Sequence, residues 1–261
     1  MLSYLQSGLV IFVGLVATVL AALGINRFWG ASARKQYNDV MGWQFGVLGT
    51  TYAVILGFML SSVWNSYMLA SDDVSQEATA ALGVFRSAEN LPKPYSDELR
   101  RIAIQYAGVV TDHEWPAMAQ DKQIPDGDTV IASMWTLSLA MLKDLPAQSE
   151  AAVGVRSAIR TLQDKREVRR EQYASELPPI MWAVLIGGAI LVVISSCLSG
   201  NQNVFLHYFH VLSISALILL MLSAVADIAR PFGGGTALDP AAFREAYTRM
   251  STAVDPLSAP R

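Results

Sequence analysis

The amino-acid sequence predicts an all-α membrane protein with four transmembrane helices in two pairs and a helical bundle inserted between the pairs. Only 16% of the 261 residues are charged, against about 25% in an average soluble domain. Asp, Glu, Lys and Arg are absent from residues 1–26, 41–70, 177–200 and 201–226. Because a helix needs about 20 apolar residues to cross a bilayer, each of these four stretches predicts one span.

These spans divide the chain into four parts. Helices one and two occupy residues 1–67, a soluble helical segment residues 68–178, helices three and four residues 179–230, and a tail residues 231–261. The first stretch lacks a basic leading segment and a small-residue cleavage site, so we expect a retained helix instead of a signal peptide. The single cysteine, Cys197, lies within helix three and excludes an intrachain disulfide.

The distribution of basic residues predicts the orientation in the membrane. The loop between helices one and two carries Arg27, Arg34 and Lys35, and a larger basic set flanks the other membrane ends: Lys165, Arg166, Arg169, Arg170, Arg230 and Arg244. Since basic residues concentrate on the cytoplasmic side, we expect both termini and the soluble segment to be cytoplasmic.

Proline and capping residues predict the helices of the soluble segment. Residues 65–90 contain no proline, so helix two is expected to continue past the membrane surface before Pro92 and Pro94 end it. Pro116 is expected in a loop, and Ser149 or a neighbour is expected to cap a long helix. Pro178-Pro179 marks the return to the membrane, because proline suits the first turn of a helix.

Helix two carries a face of small residues at spacings of three and four: Gly42, Gly46, Thr50, Ala53, Gly57 and Ser61. Small residues let helices approach closely in a bilayer. One interpretation is packing against another helix of the same chain. The other is that Gly46, Thr50, Ala53, Gly57, Ser61 and Asn65 line a pore at an oligomer axis. Bulky residues on the other faces, Phe45, Leu48, Tyr52, Ile55 and Phe58, would then meet lipid, or Ile55 and Phe58 would form a hydrophobic constriction.

Asp227 is the one carboxylate next to a predicted span, and ionisable groups at such depth are usually paired or functional. Arg230 follows three residues later, which predicts an intrahelical ion pair at the membrane end. The alternative is a role for Asp227 in an ion or proton pathway.

The remaining polar motifs point to no catalytic chemistry. His207 and His210 lack further metal ligands nearby and are expected to anchor helix four at the interface, and His113-Glu114 is expected at a surface or in packing. Asp72 and Asp73 with Glu77 predict a solvated helix face, or a ring of charge that biases ion selectivity. No cofactor or metal site is expected, and the acidic soluble segment argues against a nucleic-acid partner.

Several segments in order resemble a family of bacterial membrane proteins labelled bestrophin-like. They are Gly49 to Phe58, Trp64 to Tyr67, Glu114-Trp115, Arg169-Arg170, Leu177 to Pro179, and Asp227 to Gly233. The resemblance implies kinship with bestrophins, which are calcium-activated anion channels assembled as pentamers around an axial pore lined by the second membrane helix. It also implies a bacterial inner membrane as the location. After Pro231-Phe232-Gly233 only Asp239 offers a carboxylate, whereas calcium needs six to eight oxygens, so the resemblance does not extend to calcium gating.

Together these features predict a homo-oligomeric ion channel that conducts anions, chloride among them, with helix two at the pore. Its expected partners are further copies of itself, the lipid bilayer and inorganic ions, and the resemblance to bestrophins implies five copies in all. The alternatives are a non-conducting scaffold or signalling protein, which predicts a fully packed small-residue face, and a proton-linked transporter that uses Asp227. No nucleophile–base set is visible, so an enzyme is not expected.

Overall fold

The computed structural model describes residues 4–120, 122, 126–146, 149–174, 177–201 and 203–254, and over these residues the chain is helical with no β-strand. The helices are α1 (Tyr4–Phe28), α2 (Ala31–Arg34), α3 (Asn38–Ser87), α4 (Tyr95–Val109), α5 (Trp115–Met118), α6 (Asp126–Ala140), α7 (Glu150–Ala174), α8 (Pro179–Leu198), α9 (Val204–Ile228) and α10 (Ala241–Val254). Within the described residues, four helices are long and apolar enough to cross a membrane, namely α1, α3, α8 and α9.

The chain divides into two compact units. One, called here the apolar unit, comprises Leu2–Ser66 and Glu176–Ala229. The other, called the polar unit, comprises Tyr67–Ser175 and Arg230–Arg261. Each has a core of its own, and α3 contributes residues to both.

In the apolar unit, α1, α8, α9 and the first part of α3 pack through a few fully buried positions. Tyr52, Leu56 and Val63 of α3 are buried with Leu185 and neighbouring residues of α8 and α9. The ring of Tyr52 lies over Gly188, where a Cβ atom would come within 2.6 Å of it. Glycine therefore lets α3 and α8 approach closely at this point.

In the polar unit, α3 contributes one apolar stripe to a helical core. Ala70, Val74, Ala81 and Val84 are buried along it, at the spacing of an inward-facing helix stripe. Buried residues of the other helices complete the core, among them Leu99, Ile102, Tyr106, Met134, Ile159, Leu162, Phe243 and Met250.

Several predicted elements are confirmed and others need correction. The 50-residue helix α3 confirms that helix two continues without a break, and the hydroxyl of Ser149 caps α7 by accepting the N–H of Ala152 at 3.3 Å. The predicted polar loop after α1 instead contains α2 and a short 3₁₀ turn. Pro116 is also not in a loop: it is the second residue of α5, and proline is tolerated in the first turn of a helix.

The segment after Arg230 is a turn held by aromatic side chains of the polar unit. The indole of Trp115 donates a hydrogen bond to the carbonyl of Leu238 at 2.9 Å, and the ring of Phe232 packs edge-on against Trp115. Gly234 has a φ of 89°, which favours glycine. This turn leads into α10, whose buried face completes the core.

Candidate functional site

The small-residue face of α3 is exposed within the chain. Gly42, Gly46, Thr50, Ala53, Gly57 and Ser61 are all exposed, as is Asn65. A Cβ atom added at Gly46 or Gly57 would meet no other atom within 4 Å. The interpretation that this face packs against another helix of the same chain is therefore wrong for the residues that the structure describes.

The side of α3 that does pack within the chain is its bulky side. Tyr52 is buried, so it does not meet lipid as one interpretation had it, and Phe45 and Leu48 are half-buried beside it. Ile55 and Phe58 remain exposed, with Phe58 73% accessible.

Helix geometry divides the exposed surface of α3 into three stripes. At about 100° per residue, Thr50 and Ser61 lie roughly opposite the buried Tyr52. Gly46, Ala53 and Gly57 lie on one flank of that direction. Phe58 and Ile55 lie on the other flank. Among these residues, the small and the bulky ones are thus on opposite flanks of one helix, while the exposed Val47 and Val54 lie in the direction of Thr50 and Ser61.

The polar unit contains a buried group of four charged residues, called here the ionic cluster: Glu77, Glu114, Arg166 and Arg169. Arg166 holds Glu114 with two guanidinium nitrogens, at 2.6 and 2.7 Å. Arg169 bridges the two carboxylates, donating to Glu77 at 2.5 Å and to Glu114 at 2.9 Å. The side chains of Glu77 and Arg169 are 0% and 1% exposed. Bidentate, charge-assisted pairs of this kind are the strong ones in proteins.

Neighbouring groups saturate the ionic cluster. The hydroxyl of Tyr106 donates to Glu77 at 2.5 Å, and the half-exposed carboxylate of Asp128 accepts from Arg166 at 2.7 Å. The backbone N–H of Gly127 donates to Glu114 at 3.0 Å. A Cβ atom at residue 127 would lie 2.5 Å from the Arg166 guanidinium, so only glycine allows this approach.

The electrostatics of the cluster keep Glu114 and the arginine cations charged. Burial alone would raise the pKa of Glu114, but hydrogen bonds and charge from Arg166 and Arg169 outweigh burial and lower that pKa below its ordinary value. Burial likewise opposes the charge of Arg169, yet Glu77 raises the pKa of the guanidinium. Burial and the nearby Glu77 raise the pKa of the Tyr106 phenol well above its usual value. Glu114, Arg169 and Tyr106 therefore keep their protonation states near neutral pH.

The four residues of the ionic cluster come from three separate parts of the chain. Glu77 belongs to α3, Glu114 to the π turn after α4, and Arg166 and Arg169 to α7. Asp128 adds α6. The expected solvated face at Glu77 is therefore wrong, because Glu77 is fully buried, although Asp72 beside it is exposed. The arrangement fixes α3 among the helices of the polar unit.

The other predicted residues do not form a catalytic or metal site. Asp227 is half-buried in the last turn of α9 and Arg230 is exposed after the end of that helix, so their ion pair stays a prediction. His207 is buried rather than placed at a surface. Among the described residues, no group of three His, Cys, Asp or Glu side chains is arranged to hold a metal.

Comparison with known proteins assigns the family. A model of the bestrophin-like domain matches residues 12–243. The chain belongs to the bestrophin-like family. A bacterial bestrophin homologue from Klebsiella pneumoniae has a similar fold, with a TM-score of 0.69, 14% identity, and coverage of 93% of this chain and 96% of that one. A variant of that homologue gives a TM-score of 0.70 at 16% identity, with coverage of 94% of this chain and 99% of that one. Curated protein sequences give no match.

The ionic cluster of this bestrophin-like protein was not predicted from its sequence, although a signal exists. Val155, Ile159, Leu162, Arg166 and Arg169 follow one another at spacings of four and three, so both arginines continue the buried stripe of α7. Glu77 continues the stripe of α3 in the same way.

The lowered pKa of Glu114 predicts how acid affects the polar unit. A carboxylate with a folded pKa below 4.5 adds stability at higher pH, and that stability is lost as the pH falls through the folded value. We expect a melting temperature that is steady from about pH 8 to about pH 5 and falls at lower pH. Glu114→Gln should have a lower melting temperature than the wild type at neutral pH, but that temperature should fall less on acidification. Glu171→Gln, which changes an exposed carboxylate, is the control. Equal acid sensitivity of Glu114→Gln and the wild type would contradict this role.

Proposed function

We propose that this bestrophin-like protein is a homo-oligomeric ion channel that conducts anions, with α3 lining the pore. In this proposal α1, α3, α8 and α9 cross the bacterial inner membrane, and both termini and the polar unit lie in the cytoplasm. One observation carries the proposal: a helix long enough to span a bilayer leaves its small-residue face unpacked within its own chain. Such faces normally receive another helix, and we infer that here a second copy supplies it.

The flanks of α3 suggest how copies meet. Gly46, Ala53 and Gly57 form a shallow flank, and Ile55 and Phe58 form a bulky one. If the bulky flank of one copy packs on the shallow flank of the next, the contact is head-to-tail and repeats around an axis until a ring closes. One pore helix per chain then needs several copies, and five is the number that kinship with bestrophins suggests.

This packing assigns roles to the exposed residues. Thr50, Ser61 and Asn65 face the axis and offer hydroxyl and amide groups to a passing ion. Gly46, Ala53 and Gly57 line the edges of the pore where neighbouring helices touch. Phe58 reaches towards the axis from the bulky flank and forms the hydrophobic constriction, while Ile55 packs mainly on the neighbour.

Anion selectivity is supported by the charges of the exposed α3 surface. No carboxylate occurs between Gly42 and Ser66, so this stretch of the pore would not repel anions. The same stretch lacks the acidic side chains that select cations in many channels.

Reconstitution of the purified protein into liposomes tests the proposal. We expect chloride efflux that exceeds potassium efflux, and a particle of at least three copies by native mass spectrometry. A folded oligomer without ion flux under any gradient would contradict a channel and favour the scaffold, and so would a monomeric or dimeric particle.

A further inference from the structure

A second polar region lies in the apolar unit, where the linker from α1 to α3 meets the turn from α8 to α9. The side chain of Asn38 and the backbone of Gly200 exchange two hydrogen bonds, each 2.8 Å long. A Cβ atom at residue 200 would lie 2.6 Å from the backbone nitrogen of Lys35. Glycine at this position allows direct backbone contact between the α1–α3 linker and the α8–α9 turn. The region is therefore a packed, hydrogen-bonded part of the fold.

The region contains a buried cation without a counter-charge. Arg34 is 1% exposed, and its guanidinium donates to the carbonyl of Cys197 at 2.6 Å and to the side chain of Asn26. Both partners are neutral, and the described residues show no ion pair at Arg34. Asp39 is exposed, and Asp227 lies about 30 Å away along α9 from His207, at 1.5 Å per residue. An isolated buried charge is costly unless an opposite charge accompanies it.

Next to Arg34 lies a cavity of about 560 Å³ whose lining contains three basic side chains: Lys35, His207 and His210. Polar groups of Asn38, Ser199 and Asn201 complete most of its wall, and no carboxylate belongs to the lining. His207 is 3% exposed, and neither of its ring nitrogens has a hydrogen-bond partner among the described residues. Buried polar groups are normally paired, so His207 is a second, independent sign of a missing ligand.

We propose that this cavity binds an anion, which Lys35 and His207 would hold together with the amide of Asn38 and whose charge would offset that of the neighbouring Arg34. The ligand is a halide or a phosphate-type oxyanion, either free in solution or as the headgroup of an anionic lipid. Both histidines lie near the first turn of α9, where the helix dipole also favours negative charge. The site requires neither a pore nor conduction, so its failure and that of the channel are separate results.

Thermal unfolding of the delipidated, full-length protein in detergent tests the site. Sodium gluconate is replaced at constant ionic strength by sodium chloride or sodium phosphate, and we expect the melting temperature to rise by about 5 °C, because a ligand that binds only the folded state stabilises it. Lys35→Gln changes an exposed side chain and should fold normally, yet lose this rise, as should His207→Gln. Arg27→Gln, which removes an exposed cation in the last turn of α1 outside the cavity, should retain it.

A lipid-binding measurement identifies the source of the anion. Native mass spectrometry with phosphatidylglycerol or phosphatidylcholine should show tighter retention of the anionic lipid by the wild type than by Lys35→Gln if the ligand is a headgroup. Stabilisation by the inorganic salts without such a lipid difference indicates a free anion, and either outcome supports the site. Absence of both effects, or the same effects in Lys35→Gln and His207→Gln as in the wild type, would overturn it.

Discussion

Gly57→Trp is expected to reduce chloride flux through the reconstituted protein by about tenfold or more, because an indole at this position fills the space next to the pore axis. Gly57 is exposed, and no atom of its own chain lies within 4 Å of the position of a Cβ. A side chain at this position therefore enters open space within one copy, and we expect its effect to arise between copies or in the proposed pore. Flux from chloride-loaded liposomes measures it, and Ala53→Trp should behave alike.

Leu20→Trp is the matched control for this substitution. Leu20 is 62% exposed on α1, so the same side chain is added to an apolar surface away from α3. We expect its flux to equal that of the wild type. Native mass spectrometry distinguishes a Gly57→Trp oligomer that is blocked from one that fails to assemble. Loss of chloride flux by either route agrees with the proposal that α3 lies at the subunit contact. An intact Gly57→Trp oligomer with full flux would contradict it.

Arg169→Met is expected to lower the melting temperature of the protein by about 10 °C. The change leaves the buried carboxylate of Glu77 without its cation and takes one of two cations from Glu114. Removing one partner of a buried ion pair costs about 3–5 kcal/mol, and for chains of this size each kcal/mol corresponds to about 2–4 °C. Circular dichroism during heating in detergent measures the shift.

The double variant Arg169→Met with Glu77→Gln shows whether the cost comes from the unpaired charge. We expect it to melt above the single Arg169→Met variant, because the carboxylate that loses its partner is also removed. Arg170→Gln is the control, since Arg170 makes ion pairs only at the surface among the described residues and such pairs contribute little. Equal shifts for Arg169→Met and Arg170→Gln would contradict a structural role for the ionic cluster.

The sequence predicts the long elements well for a simple reason. The absence of charge over about 20 residues, and of proline from Asn65 to Asn90, are properties of one segment that need no knowledge of its neighbours. They are sufficient for α8, α9 and the unbroken α3. The family could also be inferred, because its residues recur in a fixed order along the chain.

The environment of a charged residue was less predictable, because it depends on segments far apart in sequence. Glu77 and Arg169 are 92 residues apart, and each alone looks like part of a charged helix surface. Their positions in the buried stripes of α3 and α7 were the available signal. The small-residue face presents the same difficulty, since Gly46 and Gly57 suit contact within a chain and between chains equally; the structure excludes contact within the chain by leaving them exposed, and contact between chains stays a proposal.

Accessibility of single cysteines along α3 tests most directly whether this helix lines a pore. Cys197 is the only cysteine, and Arg34 contacts its backbone carbonyl instead of its thiol, so a Cys197→Ala background should retain the fold. In that background a charged thiol reagent should inhibit chloride flux through Thr50→Cys, Ser61→Cys and Asn65→Cys, and should leave Val63→Cys, on the buried side, unaffected. Inhibition at Val63→Cys equal to that at the other three positions, or no inhibition at any of them in a conducting protein, would show that α3 does not line the pore.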